Sequence, residues 1–179
     1  MLVGVFYLSG CTDESNIITP SNNKTSEPEW IVLPQSSGPS VETEFSVSGL
    51  IDGTAGGMLQ IYEVYYAGPS GVVRVNTKLT FPKNCFPGTE TITMMVDRTN
   101  GTVTYSPPMI FDNPAFLNLE FQGIDLSGID PDSINFVYYN PNGYYETVEY
   151  NKLAVSMESG RLTLQDGKIP HFSRYGYSR

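Results

Sequence analysis

"VVRVNTKLTF", residues 72–81, carries the pattern that decides the fold class. Val73, Val75, Thr77, Leu79 and Phe81 alternate with Val72, Arg74, Asn76, Lys78 and Thr80. A period of two puts the first set on one face of a strand, against a core, and the second set in water. A helix would scatter the same residues around its whole circumference. "FLNLEFQ", residues 116–122, repeats the pattern, with Leu117, Leu119 and Phe121 set against Asn118, Glu120 and Gln122. "TETITMMV" (89–96), "INFVYYN" (134–140), "YYETVEY" (144–150) and "GRLTL" (160–164) read in the same way.

The punctuation between these runs agrees. Asn100-Gly101 and Asn142-Gly143 are pairs that accept positive φ in tight hairpins, and Ser159-Gly160 and Asp166-Gly167 are weaker versions of that signal. The 13 prolines fall mostly between the runs, where a missing N–H costs little. No stretch of helical period reaches the length of an ordinary helix. Many short strands with regular turns predict an all-β domain, an antiparallel β-sandwich over residues 44–179. The segment "WIVLP" at 30–34 is expected either to add an edge strand or to dock the preceding chain.

Composition narrows the function. The 19 acidic residues outnumber the 10 basic ones, giving a formal charge of −9. Phosphate-backbone binding needs clustered Lys and Arg, so no nucleic-acid partner is expected. Arg161, Lys168, Arg174 and Arg179 make the C-terminal stretch locally basic, which reads as a solvated strand edge. One histidine and two cysteines build no closed zinc set, and no haem, iron–sulfur or nucleotide motif is present. Neither a metal nor a cofactor is expected. No GxSxG or SxxK nucleophile occurs, and nothing in the order of residues sets two carboxylates across a cleft. An enzyme acting on an external substrate is the least supported class.

The start, "MLVGVFYLSGC", is an apolar run ending in Leu8-Ser9-Gly10-Cys11. It resembles a bacterial lipoprotein signal with its lipobox. The resemblance implies removal of residues 1–10 and acylation of Cys11, which anchors the chain to a membrane of the cell envelope. The run is shorter than the roughly 20 apolar residues of a transmembrane helix. It lacks a basic leading stretch, so the true start is expected further upstream. Residues 11–43 are dominated by Thr, Ser, Asn, Pro and Glu, as suits a flexible tether behind the lipid. "CTDES" resembles acidic surface-export signals, pointing to the outer membrane or cell surface. With Cys11 acylated, Cys85 has no partner and reads as a small buried hydrophobe.

A second resemblance spans roughly 45–179. "SGLIDGTAGGML", "LTFPKNCFPGTETITMMV", "YSPPMIFDNPAFLNLEF" and the closing "HFSRYG" follow the order of motifs in the ZU-five domain of ankyrins, netrin receptors and the death-domain protein PIDD. "GIDLSGIDPDSINFVYYNPNGYYETV" is not a feature of the animal domains. It is more similar to bacterial relatives, so spectrin or death-domain contacts are not carried over. The fold implied is a ZU-five-like sandwich. In some relatives a His-Phe-Ser triplet cuts its own backbone. Carried over, His171 would act as base, and Ser173 would attack the Phe172 carbonyl and break the Phe172–Ser173 bond. In an extended strand His171 and Ser173 share a face, with Cβ atoms about 6–7 Å apart. An imidazole reaches a hydroxyl over that gap if the backbone bends. The alternative is an ordinary last strand with Phe172 and Tyr175 in packing roles.

Two weaker constellations remain. Asp125, Asp130 and Asp132 supply hard oxygens of the kind that hold calcium, but their spacing is not that of an EF-hand loop. They read as turn residues bonding their own backbone. Among the 12 tyrosines, Tyr144 and Tyr145 beside the Asn142-Gly143 tip are a candidate patch for a glycan or an envelope protein. The expectation is a lipid-anchored, non-enzymatic interaction module. A self-cleaving domain and a carbohydrate- or calcium-dependent surface binder are the alternatives.

Overall fold

The computed structural model describes residues 27–36, 43–140 and 142–179. The expected signal segment (1–10) and Cys11 lie outside the described residues. Eleven strands follow one another: β1 (Glu44–Asp52), β2 (Gly57–Tyr66), β3 (Val72–Phe81), β4 (Thr89–Asp97), β5 (Thr102–Ser106), β6 (Ile110–Gln122), β7 (Asn135–Tyr139), β8 (Tyr145–Thr147), β9 (Lys152–Ser156), β10 (Arg161–His171) and β11 (Arg174–Ser178). They form two antiparallel sheets packed face to face, a β-sandwich. One sheet runs β1-β4-β5-β11-β7-β8, and the other runs β2-β3-β6-β10-β9. No helix among the described residues is long and apolar enough to cross a membrane.

The alternation read from β3 and β6 is the packing pattern. Val73, Val75, Leu79, Leu117, Leu119 and Phe121 are buried between the sheets, each worth about 1.5–3 kcal/mol of apolar transfer. Thr77, also on the inner face, donates its hydroxyl to Met94 Sδ across the core at 3.7 Å. Cys85 is buried and donates its thiol to the Asn113 carbonyl at 3.0 Å.

Three of the four turn signals close hairpins. Asn100-Gly101 joins β4 to β5, Asn142-Gly143 lies between β7 and β8, and Ser159-Gly160 joins β9 to β10. The fourth does not. Asp166-Gly167 sits inside β10, which runs on for 11 residues. Leu164 pairs with Leu119 and Gly167 with Leu117, so β10 carries one extra residue there, a β-bulge. Asp166 takes φ 52 to make it. The bulge shifts the side-chain phase by one, so that Ile169 rather than Lys168 faces the core. A turn dipeptide and a bulge both need positive φ, which is why the residue pair misleads.

The 27–36 segment packs against the sandwich. Trp30 bridges to Ser178, Ile31 N–H donates to the Tyr177 carbonyl, and Leu33 N–H donates to the Arg98 carbonyl. Ile31 and Leu33 are buried. The strap runs over Gly176 and Gly101: a Cβ on Gly176 would lie 3.0 Å from the Trp30 ring, and one on Gly101 would lie 2.0 Å from the Ile31 carbonyl oxygen. Under its far end lies Arg98, buried, its guanidinium 4.2 Å from the Tyr65 ring centre and 5.2 Å from that of Phe45. Aromatic faces thus hold a cation removed from water, and the Tyr65 hydroxyl closes the strap by donating to the Pro34 carbonyl at 2.8 Å.

Candidate functional site

The His-Phe-Ser triplet lies where the chain changes sheets. His171 ends β10 in the five-stranded sheet, and Arg174 begins β11 in the six-stranded one. Phe172 drives the crossing. Its ring is buried, stacked on Tyr105 at 5.0 Å and edge-on to Phe111 at 4.9 Å, and its N–H donates to the Met109 carbonyl. Crossing the core at this point breaks the strict alternation that would put His171 and Ser173 side by side on one strand face.

Each of those two side chains has another partner. Ser173 Oγ donates to the Tyr139 carbonyl at 3.0 Å. His171 lies edge-on to Tyr138, with ring centres 4.4 Å apart, and its Nδ1 is 3.3 Å from the Tyr175 hydroxyl. That hydroxyl donates to the His171 carbonyl at 2.6 Å, which leaves its lone pair for an N–H on Nδ1. No hydrogen bond joins Ser173 to His171. Among the described residues, the non-glycine positions with positive φ are Asn84 and Asp166, so the triplet is not held in the left-handed region. Burial pushes the Tyr138 phenol above its ordinary value; the Ser173 hydroxyl works against this and Glu146 adds to it. Burial also raises the Tyr175 phenol, with Tyr138 contributing.

His171 opens onto a cleft of about 250 Å³. Tyr138, Tyr175, His171 and Pro170 provide an aromatic and apolar wall, and Glu146 and Lys168 provide polar groups. Lys168 Nζ pairs with Glu149 at 2.5 Å, and the pair holds the Glu149 carboxyl below its ordinary value. The space is below the size of a drug-like pocket and suits a single side chain or sugar ring with an apolar body and a polar edge. Ser173 does not line it. The cleft was invisible in sequence, because its walls come from β6, β7, β8, β10, β11 and the chain after β8. Local alternation marks Tyr138 and Lys168 only as strand residues.

The other candidates lie apart. Tyr144 is half-buried in the β7–β8 loop, where its backbone N–H donates to Asn140 Oδ1 and its carbonyl accepts from Asn140 N–H. Tyr145 is exposed and borders a separate small hollow with Glu27, Glu29 and Arg179. Asp125 accepts from the Ser127 N–H and Asp130 from the Asp132 N–H, the turn contacts expected of them. Among the described residues no group of three or more His, Cys, Asp or Glu side chains converges.

No family model matches the chain, and neither a curated protein nor a solved structure does.

Proposed function

We propose that the protein is a lipid-anchored component of the bacterial cell envelope whose β-sandwich is a non-enzymatic interaction module. The observation that carries the non-enzymatic reading is the wiring of the corner. Ser173 and His171, the nucleophile and base of the triplet, are each engaged elsewhere, while the cleft beside them stays open to a ligand. The LSGC run ending at Cys11 and the polar chain behind it support the anchor, and acyl chains at about 0.8 kcal/mol per buried CH₂ would hold it. The order of motifs from "SGLIDGTAGGML" to "HFSRYG" supports a ZU-five-like domain within the sandwich class. Cys11→Ser should move the protein from the membrane to the soluble fraction. Unchanged fractionation would end the anchoring proposal.

Self-cleavage is the second reading, favoured by one observation: the Phe172–Ser173 bond falls where strand pairing breaks between sheets. Ser173 would have to leave the Tyr139 carbonyl and attack the Phe172 carbonyl carbon. His171 would take the hydroxyl proton and pass it to the Ser173 nitrogen as the Phe172–Ser173 C–N bond breaks, and water would then hydrolyse the ester. Mass spectrometry should then show loss of residues 173–179, blocked by Ser173→Ala. A chain of full mass after prolonged incubation and denaturation would remove this reading.

A further inference from the structure

The outer face of the five-stranded sheet differs in charge from the rest of the molecule. Arg74, Lys78, Lys152 and Arg161 all stand on it, in a protein of net charge −9. The ion pairs among the described residues are Lys168–Glu149, Arg174–Glu27 and Arg179–Glu29, and none uses these four. Arg161 Nε also has no hydrogen-bond partner among the described residues. The acids nearby are Glu120 in the centre and Asp166 at the bulge.

Register arranges the face in rows. Tyr62, Asn76, Glu120 and Thr163 lie abreast across β2, β3, β6 and β10. Arg74, Gln122 and Arg161 form the next row, which sets the two arginines two strands, or about 10 Å, apart. Gln60, Lys78 and Asn118 form the row on the other side. Between the Tyr62–Thr163 row and the Gln60–Asn118 row lies a shallow depression of about 290 Å³, lined by Lys78, with the other three cations on the face around it. Two residues along β2 from Gln60, on the same face, Tyr62 is 61% exposed, so its ring is available for stacking.

We infer that this face binds an acidic polysaccharide. The inference rests on the interaction-module reading and adds to it a site and a ligand class. A polyuronate carries one carboxylate on each sugar ring, beside free ring hydroxyls and an apolar ring face. Lys78 and the three cations around the depression match the carboxylates; amides and Thr163 at the centre match the hydroxyls; Tyr62 offers a flat apolar face to a sugar ring. A DNA phosphate backbone brings no free ring hydroxyls to the central amides, and a phosphatidylglycerol bilayer brings no sugar ring to Tyr62. The overall negative charge of the protein makes the attraction local and strongly weakened by salt.

The test is native affinity electrophoresis of the full chain in nonionic detergent, at its verified intact mass, through gels containing polygalacturonate or neutral dextran. Polygalacturonate should retard the protein and dextran should not. Arg74→Gln with Arg161→Gln, Lys78→Gln with Lys152→Gln, and Tyr62→Ala should each weaken binding about tenfold or more at an unchanged melting midpoint. Lys83→Gln, which removes one exposed charge elsewhere, should not. Three results would overturn the inference: no retardation, equal weakening by Lys83→Gln, or tighter binding to oligothymidylate or phosphatidylglycerol vesicles. An intact, membrane-fractionating chain that polygalacturonate does not retard removes the glycan site alone. The module reading is then judged by its own fractionation and mass tests.

Discussion

Three tyrosines, Tyr105, Tyr175 and Tyr177, are buried in the core, and burial raises each phenol above its ordinary value near 10. Unfolding exposes all three. Above pH ~10 the unfolded chain has released protons that the folded chain still holds, so stability falls as pH rises. The stabilisation is fully present below pH ~10 and is lost progressively above it, up to the raised folded values. Each such tyrosine contributes a slope of about 1.4 kcal/mol per pH unit, and the three together about 4 kcal/mol per unit. A domain of ordinary stability, about 5–15 kcal/mol, should therefore unfold within about one to four units above pH 10. Urea melts at pH 9, 10 and 11 measure the slope, and absorbance at 295 nm follows tyrosinate. The single variants separate two effects. The Tyr177 hydroxyl donates to the Leu119 carbonyl at 2.7 Å, so Tyr177→Phe should cost about 1 kcal/mol at neutral pH. The Tyr105 hydroxyl is buried with no hydrogen-bond partner among the described residues, so Tyr105→Phe should be neutral or stabilising. Both should reduce the alkaline slope by about a third. A flat stability curve from pH 9.5 to 11, or tyrosinate from these rings in a chain that remains folded, would refute the reasoning.

Other outcomes follow from the corner, the strap and the thiol. Phe172→Ala empties the aromatic cluster and should cost about 3–5 kcal/mol, with Phe172→Leu nearer 1–2 kcal/mol; a loss under about 1 kcal/mol for alanine would show that the crossing is not held by this ring. Gly176→Val should push Trp30 off β11, and because Trp30 is the sole tryptophan, its emission should shift to the red. An unchanged spectrum would contradict the strap contact. Burial, and then Asp112, hold the Cys85 thiol up at about 11. In a Cys11→Ser background it should react with a disulfide reagent at pH 8 only as urea unfolds the chain, and rapid native labelling would count against its burial.

Strand identity was written into the chain locally. In "VVRVNTKLTF" and "FLNLEFQ" the inward and outward sets are the observed ones, because side-chain alternation depends on the strand alone and each buried row must be apolar. Asn100-Gly101, Asn142-Gly143 and Ser159-Gly160 were legible as turns for the same local reason, namely backbone that accepts positive φ. Pairing partners are not local. The place of β11 between β5 and β7, and the strap's position beside it, depend on hydrogen bonds between residues far apart in sequence. Only the folded chain decided that Asp166-Gly167 is a bulge, since the choice depends on whether Ile169 or Lys168 meets the opposite sheet. It also decided that Ser173 turns to the Tyr139 carbonyl and His171 to Tyr175. Four scattered cations become one face for the same reason: the cross-strand ladder, not the sequence interval, sets which side chains are neighbours.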